Sequence, residues 1–255
     1  MLVHLLGPLR VLCDGKEVPL GGRRTKIVLA VLALEVNWVV PIDDLVDAVW
    51  GGSPPASART QIRICISTMR RGFAAAGPAG LIETHPQGYR LCLDENQLDA
   101  SVFDARVRRA RTLTEAGLTE EAVHTLRRAL SLWTGPALSG LSGGPVESGA
   151  RRLEEARLRA TEERIRLDLE LGRHQDLIGE LMQLTAEQPY REHLHAQLML
   201  ALYRSQRTAE ALEVYRGIRS TLVEELGIEP GPELGELEQA ILLGTERNQP
   251  VRGVA

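Results

Sequence analysis

The feature that most constrains the fold is a change of pattern near residue 97, after which only helical periodicity remains. Seven amphipathic stretches follow from there to about residue 244, separated by Gly, Pro or short polar turns. Two of them suggest an internal repeat, since "RHQDL" at 173–177 and "RTAEA" at 207–211 begin 34 residues apart. That period is typical of tetratricopeptide-like helix pairs, which bury their apolar faces only by stacking. The sequence therefore predicts an all-α domain over 97–246 and a flexible tail over 247–255.

The first 96 residues have a mixed pattern of short strands and helices. Apolar runs broken by Gly7-Pro8 and Asp14-Gly15 predict a small antiparallel meander. "RRTKIVLAVLALEV" predicts a covered helix, and "PIDDLVDAVW" at 41–50 predicts a short helix that ends at Gly51-Gly52. "LIETHPQGYRLCL" predicts a two-stranded hairpin. This order is that of a winged helix-turn-helix, so the predicted fold is mainly α, with an α+β domain over 1–96.

The segment "SPPASARTQIRICISTMRRGF", residues 53–73, contains most of a longer predicted helix between the short helix and the hairpin. Ala58, Ile62, Cys65 and Met69 have the i, i+4, i+7, i+11 spacing of a buried face. A charged outer face on such a helix is most often only hydrated. The short helix before it and the hairpin after it favour instead a helix that lies in a DNA major groove, which is about 12 Å wide.

Positive charge is concentrated in the same region. The chain has 30 basic and 34 acidic residues and a net charge of −4. Residues 54–90 hold five arginines against one acid, Glu83, so the other 218 residues carry −8. Because nucleic-acid binding depends on where the positive charge lies more than on the sum, this window supports a DNA-binding surface.

The predicted DNA contacts have basic or hydrogen-bonding side chains that lie outside the buried stripe. Arginine can bind guanine or phosphate through two donors, and neutral hydrogen-bonding side chains suit phosphates or base edges. Basic residues at the start of the first helix suit flanking phosphates or a polymerase surface. The predicted contacts are Arg59, Thr60, Gln61, Arg63, Ser67, Arg70 and Arg71 on the long helix, Thr84, Tyr89 and Arg90 on the hairpin, and Arg23, Arg24 and Lys26 on the first helix.

Several motifs together carry a resemblance that covers nearly the whole chain. "PIDDLVDAVWGG", "PPASARTQIRICISTMRR" and "IETHPQGYRL" resemble an OmpR-type winged helix. "LDASVF", "AVHTLRRALSLWTGPAL", "LMLALYRSQRTAEALEVYRGIR" and "LVEELGIEPGPEL" resemble the bacterial transcriptional activator domain. The chain is thus similar to the SARP family, the Streptomyces antibiotic regulatory proteins. It departs from the family at Ser205-Gln206, where a glycine is usual, and at Cys65, where an aromatic residue is more common.

The resemblance implies a transcriptional activator that binds direct repeats of double-stranded DNA upstream of an antibiotic or secondary-metabolite gene cluster. It implies two chains side by side on the DNA and recruitment of RNA polymerase through its sigma factor and other subunits. The sequence has no G-x-x-x-x-G-K-[ST] motif and no receiver domain before the winged helix, so the small, ATP-independent form of the family is expected. The expected location is the cytoplasm, at the nucleoid.

Other classes of protein fit the sequence less well. Cys13, Cys65 and Cys92 form no CxxC pair, which argues against a zinc or disulfide scaffold. His193 and His195 form an H-x-H whose side chains are expected on different sides of a helix. No apolar run approaches the about 20 residues of a membrane helix. No nucleophile elbow, HExxH or phosphate loop occurs, so neither an enzyme nor a cofactor is predicted. A scaffold of helical repeats and a ligand-responsive repressor with the same DNA contacts stay open as alternatives.

Overall fold

The computed structural model describes residues 1–77 and 79–245, and the tail predicted over 247–255 lies outside these ranges. The chain divides into two compact units. The first unit comprises Met1–Thr112 and Thr125–Arg159, and the second comprises Leu113–His124 and the residues from Ala160 onward. Because the first unit also takes in residues 97–112 and 125–159, it is larger than the winged helix, and the predicted domain boundary at residue 96 stays a prediction.

The first unit opens with the predicted meander. Strands β1 (Leu2–His4), β2 (Arg10–Cys13) and β3 (Lys16–Glu17) pair antiparallel in that order. The turn between β2 and β3 has two central residues, Asp14 and Gly15, with φ of 49° and 77°. A two-residue hairpin turn of this kind requires positive φ at both positions, which explains why the Asp-Gly pair marks it in the sequence.

Three helices form the core of the winged helix. They are α1 (Arg23–Leu34), α2 (Ile42–Trp50) and α3 (Ala58–Ala76), and each contacts the other two. The four predicted inner positions of α3 are buried together with Ile66 and Phe73, which confirms its predicted buried face. α3 begins a few residues later than the predicted start near 55, because Pro54 and Pro55 lie before the turn at Ala56 and Ser57 that leads into the helix. Gly51, with φ of 62°, ends α2 as predicted.

The predicted hairpin is one part of a second, three-stranded sheet. Strands β5 (Ile82–Thr84) and β6 (Gly88–Leu91) form the hairpin, and β6 also pairs with β4 (Val39–Pro41), so the order is β4-β6-β5. Strand β4 was not predicted from the sequence. Gly88 is required at this junction, since an added Cβ would lie 1.9 Å from the carbonyl oxygen of Val40.

The "LDASVF" motif joins the next helix to the first sheet. Asp99, which opens α4 (Asp99–Glu115), is 3 % exposed. Its carboxylate accepts hydrogen bonds from the backbone N–H groups of Leu5 (2.8 Å) and Leu6 (3.1 Å). Phe103, one turn further along α4, packs edge-on against Trp133 with 5.6 Å between the ring centres. These buried contacts explain why residues 98–112 belong to the same unit as the winged helix.

Helices make up the rest of the described chain, as predicted from residue 97 onward. α5 is Thr119–Leu130, α6 is Gly144–Glu170, and α7 is His174–Glu187. α8 is Glu192–Arg204 and α9 is Thr208–Thr221, followed by a π-helical turn at Leu222–Leu226 and by α10, Pro232–Leu243. In the second unit α8 packs against α7, α9 and α10, which is the stacking that helical repeats require.

The same turn geometry connects three pairs of consecutive helices, α4 to α5, α6 to α7 and α8 to α9. In each case a backbone N–H bonds to the carbonyl five residues earlier, from Leu118 to Leu113, from Arg173 to Asp168 and from Arg207 to Leu202. The residue before each donor has positive φ: 74° at Gly117, 78° at Gly172 and 64° at Gln206. The last two turns are 34 residues apart, the period seen in the sequence. Gln206 therefore keeps the left-handed conformation that glycine adopts at the other two turns, so its departure from the family pattern does not alter the turn.

No helix in the described part of the chain is both long and apolar enough to cross a membrane.

Candidate nucleic-acid interface

The outer face of α3 presents a row of polar side chains. Thr60, Arg63, Ser67 and Arg71 are exposed and follow one another at steps of three or four residues, which places them along one side of the helix. Within residues 1–77 and 79–245, neither Arg63 nor Arg71 has a hydrogen-bond or ion-pair partner. Both guanidinium groups are therefore available to a ligand without first breaking a contact in the protein.

Arg59 differs from these two arginines because it has a carboxylate partner on α2. It donates from Nη2 to both oxygens of Asp43, at 2.7 and 2.8 Å, and from Nε to one of them at 3.1 Å. The two side chains are 61 % and 68 % exposed, and exposed ion pairs contribute little because water competes with them. A phosphate could therefore replace Asp43 as the partner of Arg59 at small cost.

Arg70 connects α3 to the hairpin. Its Nε and Nη2 donate to the carbonyl oxygen of Ile82 at 3.0 and 2.8 Å, and Nη2 also donates to Oγ1 of Thr84 at 2.8 Å. These bonds fix β5 against the helix. The structure therefore gives Arg70 a positioning role, which the sequence alone did not indicate.

The tip of the hairpin combines one acid with two basic groups. Arg90 donates to Glu83 from Nε at 3.0 Å and also from Nη2. This guanidinium holds the pKa of the Glu83 carboxyl below its usual range, first through the hydrogen bond and then through its charge. Nε2 of His85 lies 3.5 Å from the same carboxylate. Glu83 thus neutralises part of the positive charge that the sequence assigned to the hairpin.

Tyr89 is placed differently from the other predicted hairpin contacts. It lies on β6 between Val40 of β4 and Thr84 of β5, and it is only 7 % exposed. This burial leaves little of the Tyr89 side chain exposed, and its predicted DNA contact stays a prediction. Strand β4, which was not predicted, pairs with the second edge of β6 and makes Val40 the cross-strand neighbour of Tyr89.

The basic residues at the start of α1 lie beside α3. Arg24 donates from Nη1 to Oε1 of Gln61 at 2.5 Å, and its guanidinium lies 5.4 Å from the ring centre of Trp50. Gln61 in turn donates to Oγ of Ser57 at 3.0 Å. Arg23 donates to Oγ of Ser142, whereas Lys26 is half-buried. The structure thus brings Arg24 and Gln61 together, two residues that the sequence had placed on separate helices.

Ile64 is a candidate contact that the sequence analysis missed. It lies on α3 next to Arg63 and is 58 % exposed, although its neighbours Ile62 and Ile66 are buried. The available signal was its position, since residue 64 falls outside the buried series of the helix. An exposed apolar side chain on a recognition helix can contact the methyl group of thymine.

The two histidines of the H-x-H motif belong to no metal-binding cluster of the described residues. Within them no group of three or more His, Cys, Asp or Glu side chains is arranged to hold a metal ion. Nε2 of His193 lies 3.2 Å from Gln197, whereas Nε2 of His195 lies 3.2 Å from the carbonyl oxygen of Pro189. Burial lowers the pKa of His195. What the first unit offers chemically is a set of guanidinium and hydroxyl donors around α3, which suits phosphates and base edges.

Two family models match the chain in sequence. Residues 15–91 match the family described as "Transcriptional regulatory protein, C terminal", and residues 98–242 match the "Bacterial transcriptional activator domain". The second match alone covers more than half of the chain.

Named relatives and a solved structure agree with these matches. The chain is 40% identical to the regulatory protein DnrI of Streptomyces peucetius, over 98% of this chain and 96% of DnrI. It is 38% identical to the regulatory protein AfsR of Streptomyces coelicolor, over 93% of this chain but only 24% of AfsR. It is also 38% identical to the transcriptional regulatory protein EmbR of Mycobacterium tuberculosis, and spans 63% of that protein.

The structure of Mycobacterium tuberculosis EmbR in complex with a low-affinity phosphopeptide has the same fold. It superimposes with a TM-score of 0.92 at 37% identity, over 95% of this chain and 65% of the EmbR chain. The likeness therefore extends through both compact units.

Proposed function

The chain belongs to the SARP family of transcriptional activators, and from this premise we propose that α3 and the hairpin bind repeated sites in promoter DNA. One observation carries this proposal. The exposed side of α3 holds two arginines that have no partner among the described residues, Arg63 and Arg71, with the hydroxyl groups of Thr60 and Ser67 on the same side. Free guanidinium groups on a helix that can enter the major groove suit both guanine and phosphate.

The other predicted contacts divide according to their present partners. Arg59 and Arg90 would exchange a carboxylate, Asp43 or Glu83, for a phosphate. Arg24 and Gln61 would contact the sugar-phosphate backbone of the DNA as a hydrogen-bonded pair beside α3. Arg70 keeps its bonds to the hairpin and holds Thr84 where it can reach the DNA. Ile64 adds an apolar contact to a thymine methyl group.

The regulatory consequence that we propose is activation. Two chains bind side by side on direct repeats and recruit RNA polymerase through its sigma factor and other subunits, and the regulated genes form an antibiotic or secondary-metabolite cluster. The protein would then act in the cytoplasm, at the nucleoid. Support comes from the family to which the chain belongs and from its extended similarity to DnrI and AfsR.

The test combines footprinting with transcription by purified components. The purified chain should protect direct repeats in the promoter region next to its own gene, and its affinity should fall steeply as the salt concentration rises. Added RNA polymerase should then give more transcript with the protein than without it. Absence of salt-sensitive binding would overturn the DNA-binding proposal, and a drop in transcript despite footprints would identify a repressor.

A further inference from the structure

Most of the net positive charge of the first unit comes from outside the winged helix. Residues 1–96 hold 10 basic and 9 acidic residues, whereas residues 97–112 and 125–159 together hold 10 basic and 5 acidic residues. The activator-domain helices that belong to the first unit therefore supply most of its excess positive charge. These helices are not among the predicted DNA contacts.

Arginines of α4 and α5 come together in this part of the unit. Arg106 donates from Nη1 to the backbone carbonyl oxygen of Arg128 at 2.6 Å, which ties α4 to the end of α5. Arg109 lies three residues beyond Arg106 and is its neighbour on the surface of α4. Arg106, Arg109 and Arg128 are called the arginine cluster below.

The two outer members of the arginine cluster are available to a ligand. Arg109 and Arg128 are both exposed, and across residues 1–77 and 79–245 neither guanidinium has a hydrogen-bond or ion-pair partner. By contrast, Arg108 on the other side of α4 pairs with Glu95 at 3.1 Å. Because neither side chain has an acidic partner within the described ranges, no ion pair compensates their charge.

The surroundings of the arginine cluster favour a phosphate ligand over a protein ligand. Protein interfaces depend on a few buried aromatic or aliphatic anchors. In the described chain, none of the exposed large hydrophobic residues lies within 97–112 or 125–159. Phosphate binding needs no apolar anchor, and unpaired arginines supply the charge-assisted hydrogen bonds that it does need.

We propose that the arginine cluster is a second phosphate-binding surface, which holds the backbone of DNA that flanks the site bound by α3. The proposal rests on the proposed function, because it requires that the protein bind DNA. Arg109 and Arg128 each contact a phosphate, and Arg106 acts as a positioning residue that keeps the end of α5 against α4. Such contacts add affinity without adding sequence specificity.

The test compares two duplexes, one limited to the footprint of the winged helix and one extended on both sides. Binding of the full chain is measured by fluorescence anisotropy over a range of salt concentrations. The double variant Arg109→Ala/Arg128→Ala should lose about tenfold in affinity for the extended duplex, and its slope of log K against log salt should fall by about 2. On the short duplex it should match the wild type.

Two further variants keep the result interpretable. Arg216→Ala removes an exposed arginine of the second unit that has no partner in the described chain, and it should bind both duplexes like the wild type. The double variant Arg109→Lys/Arg128→Lys keeps the charges, so it should retain most of the salt slope even if the alanine pair folds poorly.

The outcomes separate this proposal from the proposed function. Equal affinity and slope for the double alanine variant and the wild type on the extended duplex would overturn the second surface and leave α3 binding intact. Unchanged DNA binding together with reduced transcription by added polymerase would assign the arginine cluster to a protein contact, and would also overturn it. Failure of the wild type to bind DNA in a salt-sensitive way would overturn both proposals.

Discussion

The two compact units differ in net charge and in how many of their exposed arginines lack a partner in the described chain. The first unit has 20 basic and 14 acidic residues, and the second has 10 basic and 20 acidic residues. On the first unit Arg63, Arg71, Arg109 and Arg128 are exposed and have no partner among the described residues. On the second unit six of the eight described arginines are held in ion pairs. The chain's net charge of −4 hides this division.

The ion pairs of the second unit are partly buried. Arg164 is 7 % exposed and contacts both Asp168, at 3.3 Å, and Glu180. Asp168 is fully buried and also accepts a hydrogen bond from Arg173 at 2.8 Å. Arg191 likewise bonds to the buried Glu162 at 2.7 Å. Arginine in this unit therefore connects stacked helices, whereas the four exposed arginines of the first unit named above have no partner among the described residues and can bind an external anion.

The exposed apolar residues show the reverse distribution. Of the 11 exposed large hydrophobic residues in the described chain, only Leu2, Trp38 and Ile64 belong to the first unit. The second unit holds the others, with Leu242 and Leu243 at the end of α10 among the most exposed. A basic surface with few apolar anchors suits nucleic acid, and an acidic surface with many of them suits protein partners.

The largest change in the free energy of unfolding is expected on removal of a buried acid of the second unit. Asp168→Ala leaves Arg164 buried without one of its two carboxylates, and the free energy of unfolding should fall by about 3–5 kcal/mol. Urea denaturation measures this. Asp43→Ala is the matched control in the first unit, because its ion pair with Arg59 is exposed and should contribute less than about 1 kcal/mol. Similar losses for both variants would contradict the contrast between the units.

The free arginines of α3 should affect binding and not stability. Arg63→Ala should weaken specific DNA binding by about 1–3 kcal/mol if the side chain reads a base, while urea denaturation stays unchanged. Anisotropy titrations with specific and random duplexes measure the loss, and an equal loss on both would make Arg63 a phosphate contact. Arg166→Ala in the second unit removes an arginine paired with Glu163 and Glu170, and it should not change DNA affinity.

The repeated turn allows a smaller and reciprocal test. Gln206→Gly should raise the free energy of unfolding by about 0.5–1 kcal/mol, because Gln206 has φ of 64° and glycine adopts that conformation without strain. Gly172→Gln at the corresponding turn should lower it by a similar amount, since a Cβ there meets no neighbour within 4 Å and only backbone strain is added. Changes of the same sign in both variants would show that the two turns are not equivalent.

The smallest expected change is in DNA affinity, on substitution of an acid in the hairpin. Glu83→Gln frees Arg90 and should raise DNA affinity by about two- to fivefold at neutral pH, because an exposed ion pair is easily replaced. Since Arg90 lowers the pKa of Glu83, the ion pair is intact above that pKa and is lost as the pH falls through it. The affinities of variant and wild type should therefore converge on acidification.

A matched carboxylate in the second unit controls for that test. The pKa of Glu210 is also lowered, in this case by Arg207, and Glu210→Gln should leave DNA affinity unchanged at every pH. An equal gain in both variants would indicate a general charge effect and not a local one at the hairpin.

Much of the fold followed from local patterns. The buried face of α3, the Asp14-Gly15 turn, the hairpin and the helices after residue 97 each depend on residues close together in the chain, and all are confirmed. Strand β4 was missed because three residues are too few for a clear alternation. With β4 unknown, the burial of Tyr89 could not be foreseen.

The sequence by itself determined the type and order of most elements, the 34-residue repeat and the helix that carries the candidate contacts, since each depends on local periodicity and turn chemistry. Only the tertiary structure decided which arginines have partners and which are free. Three pairs join residues of different elements. They are Arg59 with Asp43, Arg70 with Thr84, and Arg90 with Glu83. The tertiary structure also placed residues 97–112 and 125–159 with the winged helix. Pairing of charges depends on distances across the fold, which a one-dimensional pattern does not contain.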